Sequence, residues 1–89
     1  MKLNVAMGSV LRDIRMEKNM TLRQLSNKSF VSIAHISDAE RGQKNVSADL
    51  IEALAFGLDV PSYHIIQVAG MRMELANADL EEKIFVTNS

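Results

Sequence analysis

The chain has no cysteine and no tryptophan, a single proline and only four aromatic residues in 89. Without cysteine there is no disulfide framework to staple a small core. There is also no thiolate to hold a metal or act as a nucleophile. Two histidines, His35 and His64, are too few for a metal site on their own. The serines and carboxylates show no nucleophile–base–orienter spacing, so nothing points to an enzyme. No run of about eighteen apolar residues is present, so no segment is expected to span a membrane. The opening MKLNVAMGSVLRD lacks the long apolar core and the cleavage site of a secretory signal, and a cytoplasmic protein is expected. No cofactor and no small-molecule ligand is implied.

Charge of one sign is also lacking, since the net charge is −1. The distribution is uneven, however. Residues 1–44 hold eight Lys/Arg against four Asp/Glu, whereas residues 45–89 hold two against seven. A basic first half and an acidic second half suit one face that meets a polyanion and another that meets protein. The length fits one small domain, and the wealth of aliphatic residues and methionine favours an all-helical one.

The organising stretch is TLRQLSNKSFVSIAHISDAERG, Thr21 to Gly42. Thr21 is a good N-cap with Gln24 three residues on, the pattern of a capping box. Leu22 and Leu25 give the helix that follows an apolar edge. Ser29 to Val31 break the pattern. Ser32 caps a second short helix, with Ile36 and Ala39 inward and Gly42 as its stop. Two short helices this close in sequence must cross steeply, as a helix-turn-helix. The second helix then leaves Ile33, Ala34, His35 and Asp38 outward, where a major groove could receive them. Ile33 and Ala34 suit thymine methyl groups, His35 a base edge or a phosphate, and Asp38 either cytosine N4 or the orienting of a neighbour. The start of the preceding helix, near Arg23, suits a phosphate. So does the polar loop Arg41, Gln43, Lys44 and Asn45. Phe30 falls in the turn, where glycine would be comfortable; it either avoids positive φ or carries strain, and its side chain is expected to lie across a neighbouring surface.

The remaining helices follow from periodicity. The first is expected from Met7 to Lys18, with Val10, Leu11 and Ile14 inward. Arg15 lies beside that stripe and needs a partner, for which Glu40 is the candidate. A fourth helix opens at Ser47 and buries Leu50, Ile51, Leu54, Ala55 and Leu58, leaving Phe56 on the opposite side. A fifth starts with Pro61 at its first position. It carries two apolar faces, Ile65, Ile66, Ala69 and Met73 on one and Val68, Met71 and Leu75 on the other. A helix apolar nearly all round must be covered on both sides. We therefore expect a second copy of the chain against Phe56, Val68, Met71 and Leu75. The tail ADLEEKIFVTNS reads either as a short helix over about 78–85 or as a strand. The division is thus 1–61 as the helix-turn-helix unit and 62–89 as the dimerising segment.

The run from Val10 to Pro61 resembles the Cro/C1-type helix-turn-helix family, also called XRE, of phage repressors and bacterial regulators. ISDAERG is similar to the family's I-S-x-x-E-R-G, and TLRQLS to its T-L-x-x-L-A. The stretch QKNVSADLIEALAFGLDVP looks most like actinobacterial regulators of Clp protease genes. The resemblance implies a compact five-helix, lambda-repressor-like domain with a C-terminal helical extension. It implies duplex DNA as the partner, an inverted-repeat operator, and a homodimer. By position it places Thr21, Ser32, Arg41 and Gln43 at phosphates, and Arg15 with Glu40 in an internal ion pair. Ser26 and Phe30 stand where the family usually has alanine and glycine. The helix facing the groove has no Arg, Asn or Gln, and this keeps a protein-interaction module on the same fold as the rival reading.

Overall fold

Helix starts and stops are written in the side chains, and the structure realises them. A computed structural model gives the backbone of residues 1–87 and the side chains of residues 1–77. Among the described residues there are five helices and no strand: α1 (Leu3–Glu17), α2 (Leu22–Ser29), α3 (Ile33–Glu40), α4 (Ala48–Leu58) and α5 (Ser62–Thr87). Three of them begin on a hydroxyl cap. Thr21 Oγ1 accepts from Gln24 N while Gln24 Oε1 accepts from Thr21 N, closing the capping box. Ser32 Oγ accepts from His35 N, and Ser47 Oγ from Leu50 N.

The stops are equally local. Gly42 takes a left-handed φ of 69° and ends α3. Its N–H bonds to Ala39 O, and Gln43 N–H reaches back to Asp38 O, which is a Schellman closure. Asn19 ends α1 in the same way at φ 53°, through Met16 O and Arg15 O.

Two boundaries differ from expectation. α1 starts four residues early, at Leu3 rather than Met7, because the extra turn buries Ala6 and needs no side-chain cap at Lys2. Pro61 sits one residue ahead of α5, not at its first position. Beyond it, the tail continues as helix to Thr87, so the strand alternative is set aside. Residues 88 and 89 lie outside the described residues.

The core draws on every helix. Val10, Leu11, Leu25, Ile36, Leu54, Leu58, Ile65 and Ala69 are almost wholly enclosed. Burying side chains of this size stabilises by about 1.5–3 kcal/mol apiece. Two crossings are closer than side chains allow. A Cβ at Gly8 would stand 2.3 Å from Ala39 O, and one at Gly57 would stand 2.8 Å from a Leu25 methyl and 2.9 Å from Ser29 Cβ. Glycine therefore lets α1 rest on the last turn of α3, and α4 on α2.

In α5 the orientation differs from the sequence expectation in one pair of residues. Val68 leans on the chain's own core, whereas Ile66 faces outward and is half exposed. At 100° per residue Ile66 and Val68 lie equally far, about 80°, to either side of the direction shared by Ile65 and Ala69, so it is the packing against the core that takes Val68 and leaves Ile66 out. Arg72 fastens this helix to α1 by binding Asp13 and the Ser9 hydroxyl. With 26 residues, α5 is about 39 Å long, and it draws the envelope out to 54 × 21 × 21 Å. No helix among the described residues is long and apolar enough to cross a membrane.

Candidate nucleic-acid interface

The turn between α2 and α3 sets the angle at which α3 is presented. Phe30 occupies its pivot with φ 62° and ψ 22°, the left-handed region. Of the two alternatives, Phe30 thus takes the strained one. Its side chain is 90% exposed, which corrects the expectation that it would lie across a neighbour. A bulky residue persists there only if its surroundings fix the backbone. They do so on both sides of Val31: Ser26 Oγ donates to its carbonyl at 2.6 Å, and its N–H donates to Ser29 Oγ at 3.2 Å. Ser26 and Phe30, the two departures from the family pattern, are therefore parts of one braced turn.

From the other side, α3 is held by an ion pair. Arg15 Nε and Nη2 donate to the two Glu40 oxygens at 2.7 and 2.9 Å, and Nη1 donates to Met20 O at 2.9 Å. The side chains are only 13% and 6% exposed. Glu40 raises the affinity of the Arg15 guanidinium for its proton by hydrogen bonding, against the opposing effect of burial. One arginine thus ties α1, the α1–α2 connection and the end of α3 together.

What remains uncovered is the outward sector of α3. Ile33, Ala34 and His35 are exposed there, and Asp38 is partly so. Ala34, Asp38 and Arg41 form one row opposite the buried Ile36. Thr21 and Arg23 at the start of α2 are exposed, as is Ser32 at the start of α3 itself. The Thr21 and Ser32 oxygens already accept a capping N–H, and each hydroxyl proton is left to donate to a phosphate. The loop residues Arg41, Gln43 and Lys44, just past the end of α3, are exposed as well.

Asp38 does not stand free in this sector. Its carboxylate is already engaged, by Arg41 Nη2 at 2.6 Å on one oxygen and Lys44 Nζ at 3.2 Å on the other. These two hydrogen bonds pull its pKa below the usual carboxylate value. Of the two roles open to it from sequence, the orienting of neighbours is the one occupied, and the neighbours are the cations Arg41 and Lys44. A contact with no local sequence signal completes the flank: Asn4 Nδ2 donates to Asn45 Oδ1 at 2.8 Å, across 41 residues. It clasps the first turn of α1 to the basic loop.

A helix-turn-helix family model matches residues 11–64, more than half of the chain. The chain belongs to the Cro/C1-type (XRE) helix-turn-helix family. Within that family it is 39% identical over 66 residues to the transcriptional regulator ClgR of Mycobacterium tuberculosis, an overlap of 74% of this chain and 59% of the relative. The chain thus spans little more than half the length of that protein. Its backbone superposes on the clp gene regulator ClgR of Corynebacterium glutamicum with a TM-score of 0.83 at 31% identity, over 97% of this chain and 92% of that one. It is also similar to the restriction–modification controller protein C.Esp1396I, solved as a tetramer on its natural 35-base-pair operator. There the TM-score is 0.72 at 29% identity, over 78% and 91% of the two chains. These proteins are named as regulators or a controller protein, and none of them as an enzyme.

Proposed function

We propose that this chain binds duplex DNA through α3 and its flanks and regulates transcription as a homodimer on an inverted repeat. The observation that carries the reading is the uncovered outward sector of α3, with an exposed hydroxyl, Ser32, at its start and exposed cations, Arg41 and Lys44, at its end. A rod about 10 Å across with its side chains matches a major groove of about 12 Å. Arg23, Arg41, Gln43 and Lys44, with the Thr21 and Ser32 hydroxyls, would supply sequence-independent phosphate contacts and strong salt dependence. Ile33 and Ala34 would read thymine methyls, and His35 a base edge.

The dimer is supported by apolar surface that the chain does not cover itself. Phe56 is 74% exposed, Met71 60% and Leu75 74%. Val68 leaves the proposed interface because it packs on its own core, and Tyr63 and Ile66, both exposed, join the candidate surface. Two copies would place their α3 helices roughly 34 Å apart, one helical turn of DNA.

Selection of bound fragments from a random duplex pool tests binding, symmetry and spacing together. The expected product is an inverted repeat. Ile33→Glu with His35→Glu should reduce binding to it by at least about a hundredfold, at unchanged helix content. Unchanged affinity would refute the assigned reading face. The rival, a protein-interaction module, draws on the two exposed phenylalanines, Phe30 and Phe56, which line one shallow depression with Val60 and Pro61. Such a module should show no salt-dependent affinity for any duplex.

A further inference from the structure

Asp38 lies in the middle of the surface proposed to meet a polyanion, where a negative charge repels what the surface must bind. Its two oxygens hold two different cations, Arg41 at 2.6 Å and Lys44 at 3.2 Å. Both cations belong to the flank assigned to phosphates, and both remain more than half exposed. The carboxylate therefore presents to Arg41 and Lys44 what a DNA phosphate would present with its two free oxygens. Ion pairs this exposed are weak and readily exchanged. Near a duplex, with one phosphate charge per about 1.7 Å of axis, exchange onto the backbone is favoured.

We propose that Asp38 is an internal stand-in for a phosphate: it holds Arg41 and Lys44 in the free protein and yields them to the DNA backbone on docking. The inference rests on the DNA-binding reading and adds a control of specificity to it. Once released, the carboxylate faces the groove from the same row as Ala34. It can only accept hydrogen bonds, so it is satisfied by an exocyclic amine such as cytosine N4 and left unpaired by other base edges. A site that lacks the amine then leaves the carboxylate with nothing in exchange for the two partners it gave up, and a site that has it does not. Asp38 in this way weakens binding to sequence at large and favours matched sequence.

The test uses the full chain and four proteins: wild type, Asp38→Ala, the Arg41→Gln/Lys44→Gln double variant, and the triple variant. Each is titrated against a mixed-sequence 30-base-pair duplex at one fixed salt concentration. Helix content and thermal midpoint serve as controls for the fold. Asp38→Ala is expected to bind the mixed duplex about threefold to tenfold more tightly than wild type. In the background without the two cations the gain should shrink below about twofold, as a double-mutant cycle requires of coupled groups. Fragments selected by Asp38→Ala should lose the preference for an amine-bearing base at one position in each half-site. A gain that persists undiminished without the cations overturns the proposal, because simple removal of charge then accounts for it. Affinity that is unchanged or lower in Asp38→Ala overturns it as well. Wild type that binds no duplex overturns the DNA reading together with this proposal. Wild type that binds while Asp38→Ala gains nothing overturns this proposal alone.

Discussion

Replacing Gly8 with alanine should destabilise the chain although alanine is the better helix former. In an exposed helix interior the exchange is worth up to about 1 kcal/mol in favour of alanine. At Gly8 the added methyl would stand 2.3 Å from Ala39 O and 2.7 Å from Glu40 O. Relief requires roughly 1 Å of separation, and overpacking of this kind costs about 1–3 kcal/mol. The opposing atoms are main-chain carbonyls, so no side-chain rotamer can absorb the contact. The last turn of α3 must move as a unit, together with the Ala39 carbonyl that accepts from Gly42 N. Set against the helix-propensity gain, we expect a net loss of up to about 2 kcal/mol. That corresponds to a fall in thermal midpoint of up to roughly 15 °C for a domain of this size. Urea unfolding followed by circular dichroism, at one protein concentration because association would shift the midpoint, gives the value. Gly70→Ala is the matched control, since a Cβ there meets nothing within 4 Å. It should be neutral or stabilising. A Gly8→Ala protein as stable as Gly70→Ala would refute the claim that backbone contact sets the α1–α3 crossing.

Glu40→Gln leaves the Arg15 guanidinium enclosed without its carboxylate and should cost about 2–4 kcal/mol in the same assay. Arg15→Met combined with Glu40→Leu should recover much of that loss; a double variant as damaged as the single one would count against an unpaired charge as the cause. Phe30→Gly should stabilise by several tenths to about 1 kcal/mol, because the left-handed backbone at φ 62° suits glycine and the Phe side chain is almost wholly in solvent. A destabilised Phe30→Gly would show that the ring makes a contact that exposure does not reveal. Acid should loosen the link between α3 and the basic loop. The folded-state pKa of Asp38 lies below its unfolded value, so its contribution is present above the ordinary carboxylate range and disappears as pH falls through the lowered pKa. The carboxyl titration followed by NMR should show that depressed midpoint in wild type and lose the depression in Arg41→Gln/Lys44→Gln.

The helix-turn-helix was legible because its boundaries are set by side chains that bond to nearby backbone and by one glycine stop. Thr21, Gln24, Ser32, Gly42 and Ser47 act within a few residues of where they stand, so spacing alone exposes them. The core stripes of the first four helices were legible for the same reason. The start of α1 was not, since Lys2 makes no side-chain cap and leaves no mark. The rotation of α5 was hidden by its composition: with apolar residues on nearly every side, periodicity could not decide between Ile66 and Val68. In the site, the outward residues of α3 could be named from the helical repeat. The engagement of Asp38 depends on a loop folding back beyond a glycine stop, and the bracing of the turn depends on two serines whose type alone signals nothing. Phe30 shows the limit most clearly, because a turn signal cannot say whether a large residue will accept a positive φ.

The glycine contact at Gly8 and the ion pair at Glu40 both grip α3 from behind. Its attitude is thus governed by Gly8, Arg15, Ile36 and Ala39, none of which looks toward the groove. The letters at 33, 34 and 35 are free of any duty to the mount beneath them, whereas Asp38 also ties the basic loop to α3. A library randomised at those three positions should remain largely folded, so new binding preferences could be sampled on this scaffold without rebuilding it.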